Sequence, residues 1–207
     1  MRLFRRDGYD RTTMRAVAAE AGVSLGNAYY YFSSKEHLVQ AFYFETQTQH
    51  EAACEEVLRT RQGFADRFVG VLEAWLDVAE PSHAFATQFF KNAADPDSPL
   101  SPFSPESEGA RTAAVGIWQR ALDGADLKVA PDLRAELPEL LWLMQMGLVL
   151  FWVYDRSEGQ ARSRALARMV APIVERLLKL SRIPLVRGPA DDLVALLRFL
   201  RSTPDVS

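Results

Sequence analysis

The stretch LLWLMQMGLVLFWVY, from Leu140 to Tyr154, constrains the fold more than any other part of the chain. It is shorter than the roughly 20 residues a bilayer-spanning helix needs, and Gln145 interrupts it, so it reads as a buried helix. From Leu137 to Tyr154 nearly every face is apolar. A helix of that kind needs partners on both sides, supplied by its own chain or by a second copy. The fold must therefore be a bundle built around it.

The rest of the sequence agrees. Helical periodicity dominates the 207 residues and no alternating strand is convincing. Met14, Val17, Ala18 and Ala21 form one short stripe, which Gly22 ends as a C′ glycine. Ser24 can cap the next, shorter helix. Ser33 and Glu36 form a capping box, opening a helix from about Lys35 to Leu58. After Gly63, an amphipathic helix runs from Phe64 to Ala79, and another carries Phe85, Phe89 and Phe90. Pro96, Pro99, Pro102 and Pro105 then fall at every third residue, which predicts an extended, polyproline-like, mobile connector. Further helices are expected at 107–123, 137–154, 162–180 and 190–201, with a kink at Pro172. The fold class is all-α: a three-helix N-terminal domain over 1–45, a larger helical domain over 46–183, and a C-terminal helix and tail over 184–207.

A short helix, a tight glycine turn and a shorter helix have the spacing of a helix-turn-helix, whose second helix enters the DNA major groove. Three adjacent tyrosines, Tyr29, Tyr30 and Tyr31, cannot share one core, because neighbours on a helix point about 100° apart. If Ala28 and Phe32 face inward, then Leu25, Gly26, Asn27, Tyr29 and Tyr30 lie outside or at the edge. Gly26 lets the backbone approach DNA, Asn27 can bond a base edge, and Leu25 can touch a thymine methyl. The tyrosine hydroxyls suit phosphates, as does Lys35 at the start of the following helix. Residues 1–40 hold six basic and four acidic side chains, a charge of +2, leaving −5 for the remainder of a chain of net charge −3. A mildly basic head on an acidic body is compatible with an anionic partner at the head.

Residues 3–44 resemble the DNA-binding domain of the TetR family of bacterial repressors. The shared features are LF…GY, TT, AGVS-x-G, the Tyr-Tyr-x-Phe cluster and SKE-x-L. The resemblance implies that Thr13, Ser24, Leu25, Gly26, Asn27, Tyr29, Tyr30, Tyr31 and Lys35 occupy DNA-contacting positions. It also implies that the all-helical remainder is a ligand-binding and dimerisation domain. Two departures stand out: the first helix is shorter at its start than the family's, and Leu25 stands where members often carry a polar residue. The first affects phosphate contacts at that helix start; the second makes hydrogen-bonded base readout leaner.

These readings predict a ligand-responsive transcriptional repressor that is a homodimer on a palindromic operator in double-stranded DNA, bound through residues 12–35. Helices 137–154 and 162–180 are expected to pair with their copies as a four-helix bundle. A small apolar effector is expected in a pocket lined from Trp75, His83, Phe85, Gln88, Phe89, Asn92, Trp118, Trp142, Gln145 and Met146, closed in part by the proline-rich connector. The alternative is a dimer that binds small molecules or partners and grips DNA weakly because its first helix is short. HEAAC, from His50 to Cys54, lacks a third ligand nearby, so no metal site is expected, and no cofactor. No catalytic triad or phosphate-loop spacing stands out, so an enzyme is not expected. One cysteine, Cys54, excludes an intrachain disulfide and fits the cytoplasm, and no membrane partner is indicated.

Overall fold

The computed structural model describes residues 2–181 together with Asp192 and Ala195; the side chains of Arg5, Gln88, Phe89 and Lys91 lie outside that description. The expected 190–201 helix and the 184–207 tail also lie outside the described residues, apart from those two positions. Among the described residues nine α-helices follow in order: α1 (Arg2–Asp7), α2 (Met14–Ala21), α3 (Leu25–Tyr31), α4 (Lys35–Thr60), α5 (Phe64–Ala79), α6 (His83–Ala93), α7 (Glu108–Asp123), α8 (Pro131–Tyr154) and α9 (Ala161–Leu180). The same residues contain no strand.

Local chemistry sets most of the boundaries. Gly22 takes a left-handed conformation (φ 69°) and its N–H returns to α2, a turn that a β-branched residue would strain. Thr13 and Ser24 cap α2 and α3, accepting from the N–H groups of Ala16 and Asn27. The cap of α4 is Ser34, one residue later than the sequence predicts. Ser33 instead bonds the His37 ring at 2.5 Å, and Glu36 accepts from the Tyr9 hydroxyl at 2.5 Å. The capping box is thus undone by a tertiary partner for its glutamate. Helix α8 starts at Pro131, six residues before the expected Leu137, because proline suits the first helical turn. At this length and apolarity α8 would pass as a membrane span by composition. Its inner face is built into the bundle core instead.

The main core is contributed by α4, α5, α7, α8 and α9 around the fully buried Phe64, Phe68, Ile117, Trp118, Leu137 and Leu141. Trp118 donates to the Gln145 side chain at 2.9 Å, so the most buried indole is satisfied without water. Asp155 joins α8 to α9. Burial works against its charge, yet N–H and O–H donors from Ser157 and Ser163 prevail and hold its pKa at about 2.

The connector is neither extended nor loose. Asp95, Ser98, Ser101 and Ser104 each accept, through their carbonyls, the N–H three residues on, making four consecutive turns. Each turn has the form Asp/Ser-Pro-x-Ser, with proline where a type I turn favours it. The Asp95, Ser98 and Ser101 side chains also accept from the N–H two residues on. Leu100, Ser101, Ser104 and Ser107 are buried. Gln40 donates to the Pro99 carbonyl and Tyr43 to that of Leu100, fastening this staircase to α4.

His50 is fully buried on α4 and donates from Nε2 to the Val71 carbonyl at 3.0 Å. Burial lowers its pKa from 6.5 to about 4. The unfolded chain therefore binds the extra proton between those values, and stability falls as pH drops from about 6.5 to about 4. The loss expected from this one group is about 3 kcal/mol. Urea unfolding across that range should show it, and His50→Leu should flatten the slope; an unchanged slope would show that His50 is not its source.

Candidate nucleic-acid interface and interior cavity

The head has a small core of its own: Met14, Ala18 and Ala28, with Leu25, Phe32 and Leu38 packed against them. That core uses the inner side of α3 and leaves the outer side bare. Tyr29, Tyr30 and Tyr31 are 50%, 82% and 70% exposed. Tyr30 and Tyr31 meet edge to face at 5.1 Å and, among the described residues, belong to none of the apolar cores. Asn27 is exposed at its side chain, while its N–H is taken by the Ser24 cap. Leu25 is half-buried against the head core, so it sits at the edge of the exposed face. A Cβ added at Gly26 would meet nothing within 4 Å. The chain's own packing therefore gives no reason for glycine there.

Lys35 is more committed than its sequence position indicates. Its ammonium donates to the carbonyls of Tyr9 (3.0 Å) and Asp10 (3.4 Å) and lies 4.3 Å from the centre of the Tyr9 ring. Two of its three N–H groups thus tie the start of α4 to the turn between α1 and α2.

Head and body share a second small core. Phe4 and Tyr9 from the head meet Val39, Phe85 from α6 and Leu100 from the staircase. Phe85 is 5.8 Å from Phe4 and 6.2 Å from Phe42, ring to ring. Helix α4 runs unbroken through the expected boundary at residue 45.

Against this junction lies a cavity of about 230 Å³. Of the residues expected to line it, Trp75, Phe85, Trp142, Gln145 and Met146 do so. Trp118 does not, because it is spent inside the core on Gln145. His83 stands behind the wall: its Nε2 bonds the Trp152 carbonyl at 2.7 Å and its ring lies edge-on to that indole. Asn92 is also absent from the lining, and the side chains of Gln88 and Phe89 are outside the described residues. The sequence reading missed Phe42, Tyr43, Thr46 and Gln47 on α4 and Arg111 on α7. The signal on α4 was i, i+1, i+4 spacing along its inner side, one helix earlier than the tryptophan-rich region that drew attention. Pro102 and Ser107 of the staircase complete the wall, so the connector does border the cavity.

His50 and Cys54 belong to the core. Burial pushes the Cys54 thiol up to about 12, which leaves it an inert apolar group at neutral pH. Among the described residues no group of His, Cys, Asp and Glu is placed to hold a metal ion.

A helix-turn-helix whose second helix has a bare outer side, seated on a helical body with an apolar cavity at the joint, is the architecture of a transcriptional regulator. Residues 1–42 match the family described as bacterial regulatory proteins, tetR family, and residues 67–200 match the tetracyclin repressor-like C-terminal domain. The chain belongs to the TetR family. Its fold is similar to that of the TetR family transcriptional regulator PfmR from Thermus thermophilus, with a TM-score of 0.52 and 18% identity, over 84% of this chain and 90% of that one. The ketosteroid transcriptional regulator KstR2 of Mycobacterium tuberculosis is also similar, with a TM-score of 0.48 and 18% identity, over 83% and 88% of the two chains. No curated protein matches.

Proposed function

We propose that the chain is a cytoplasmic repressor that binds a palindromic operator as a homodimer and lets go when a small, largely apolar molecule fills the cavity. The observation that carries the DNA reading is the outer side of α3, where three aromatic rings and Asn27 are exposed around a glycine that nothing internal requires. In this reading Asn27 addresses a base edge, Tyr29, Tyr30 and Tyr31 address phosphates and groove walls, and Gly26 admits the DNA backbone. Thr13 and Ser24 serve through their caps, placing α2 and α3. Lys35 has one N–H left for a phosphate.

Two heads on a two-fold axis would read half-sites about 34–36 Å apart. The surface for that pairing is the uncovered side of α8 and α9, where Leu150, Tyr154, Met169, Ile173, Leu177 and Leu180 are exposed. The route for release is the shared core. Phe42, Tyr43 and Phe85 are walls of the cavity and also seats of the head. A ligand that favours a different seat for the head would separate the two recognition helices, and a coupling of about 1–3 kcal/mol is enough for a useful response.

Fluorescence anisotropy with the DNA flanking the protein's own gene tests this. Affinity should fall steeply as salt rises from low to moderate. Tyr30→Ala should weaken binding to all sequences alike, whereas Asn27→Ala should also relax base preference by about 1–3 kcal/mol at one position. Wild-type binding by both variants would remove α3 from the interface and overturn the reading.

A further inference from the structure

The lining of the cavity is electrically one-sided. Among the described residues Arg111 is the only charged side chain on it, and no Asp or Glu lines it. Arg111 Nη1 donates to the carbonyls of Pro102 (2.9 Å) and Ser104 (3.3 Å) in the turn staircase. Among the described residues no carboxylate pairs with this guanidinium. A second donor waits nearby: Gln47 Nε2 is buried on the cavity wall with no acceptor. Helices α4 and α7 run side by side in the same direction, since Gln40 bonds Ser107 and Glu51 bonds Arg120. Gln47 is therefore level with Ala114, about one helical turn beyond Arg111.

The shape is as one-sided as the charge. Trp142 and Trp152 both border the cavity, on one continuous helix. Ten residues of helix separate them by about 15 Å. A volume of about 230 Å³ spread over that length is narrow, and it is smaller than the roughly 300–1,000 Å³ of most ligand sites. Apart from Arg111 and a few uncharged polar groups the walls are apolar, with Trp75, Phe85, Met146, Val149, Trp152 and Val153 among them.

We infer that the effector is a slender apolar monocarboxylate, its carboxylate held by Arg111 and Gln47 and its tail laid along the apolar wall of α8. This rests on the reading of the cavity as the effector site and names what it selects. A carboxylate answers both unmet needs at once: it neutralises the guanidinium and accepts from the orphaned amide. An alcohol of equal length answers only the second, and an ammonium meets like charge. The carboxylate also lands where Arg111 holds the staircase, which Gln40 and Tyr43 tie to the helix that carries the head.

The test uses the full chain, with hexanoate, octanoate and decanoate, the matching 1-alkanols and the matching alkylamines, followed by calorimetry and thermal melting. At least one acid should bind, raise Tm and weaken operator binding, while its alcohol binds about tenfold or more weakly and its amine does not bind. Arg111→Gln should cut acid affinity about tenfold or more and leave alcohol affinity within about twofold, which separates lost charge from a damaged wall. Gln47→Leu should weaken the acid yet raise Tm of the unliganded protein, because it removes a buried donor that has no acceptor. Equal affinity for acid and alcohol, or unchanged acid affinity in Arg111→Gln, overturns the carboxylate assignment and leaves the effector cavity standing. Binding by none of the three series overturns the cavity reading along with it.

Discussion

A chain carrying both Ile173→Glu and Leu177→Glu is expected to sediment as a monomer at micromolar concentration and to lose specific operator binding. Helix α9 is apolar on two sides. Ser163, Ala167, Ala171, Val174 and Leu178 are buried against the body. Met169, Ile173, Leu177 and Leu180, spaced four, four and three apart, are 69%, 55%, 61% and 42% exposed. On α8, Leu150 and Tyr154 are likewise exposed, at 46% and 65%. Four helices from two copies can close these stripes at the shallow crossing angle of a bundle, about 20°. Each Leu or Ile so covered contributes about 1.5–3 kcal/mol, and the two-fold axis counts each twice. Glutamates in their place remove that and add four carboxylates without partners, each costing several kcal/mol if the dimer is to form. One head alone reads only a half-site, so affinity should approach the non-specific level, about 10³-fold or more below specific binding. Because the substituted positions are exposed in the single chain, helix content and Tm should stay near the wild-type monomer's. A double variant that still sediments as a dimer and holds its operator would place the pairing surface elsewhere.

How far the sequence could be read depended on the range of the interaction that decided each element. Gly22, Thr13 and Ser24 act within four residues, so the helix-turn-helix was legible from spacing alone. The apolar run of α8 announced a bundle because no local arrangement can bury it. The proline staircase was misread because prolines at every third residue fit both an extended strand-like connector and a chain of turns. What separates the two is the partner residue of each proline: Asp or Ser at the start and Ser at the end of every unit, closing hydrogen bonds that an extended chain lacks. The fastening to Gln40 and Tyr43 spans more than 55 residues and left no trace in local pattern. The cavity was half legible. Bulky aromatic and sulfur side chains pointed to the correct region, yet which of them face space and which face each other is a tertiary matter. Trp118 and Gln145 both looked like lining, and a bond between them puts one inside the core. Arg111 drew no notice in the sequence, because nothing in its neighbourhood shows that its head points at the staircase.

The largest loss of stability from a single side chain is expected at Arg67. It is 6% exposed, and its guanidinium serves backbone carbonyls instead of an acidic partner. Nη1 donates to Arg61 (2.9 Å) and Gly124 (2.7 Å), and Nη2 to Leu58 (2.7 Å). Leu58 and Arg61 lie at the end of α4, and Gly124 follows the end of α7. These are helix C-termini, where unpaired carbonyls concentrate negative partial charge, so a buried cation is stabilised there without a carboxylate. Arg67→Met keeps most of the length and removes every donor. Three carbonyls then lose charge-assisted bonds, at a cost of about 3–5 kcal/mol after partial rehydration. For a chain of this size that lowers Tm by about 10 °C, which calorimetry resolves easily. The same knot gives an independent probe. A Cβ at Gly124 would come within 2.3 Å of Arg67 Nη2, and that nitrogen is held by its bonds and cannot swing aside, so Gly124→Ala should destabilise in the same direction. Arg59, paired with Glu56 where both are about two-thirds exposed, is the contrast: Arg59→Ala should melt like the wild type. If Arg67→Met melted within a degree or two of wild type, the carbonyls would be finding water without penalty. The far end of α4 would then be held by apolar packing alone.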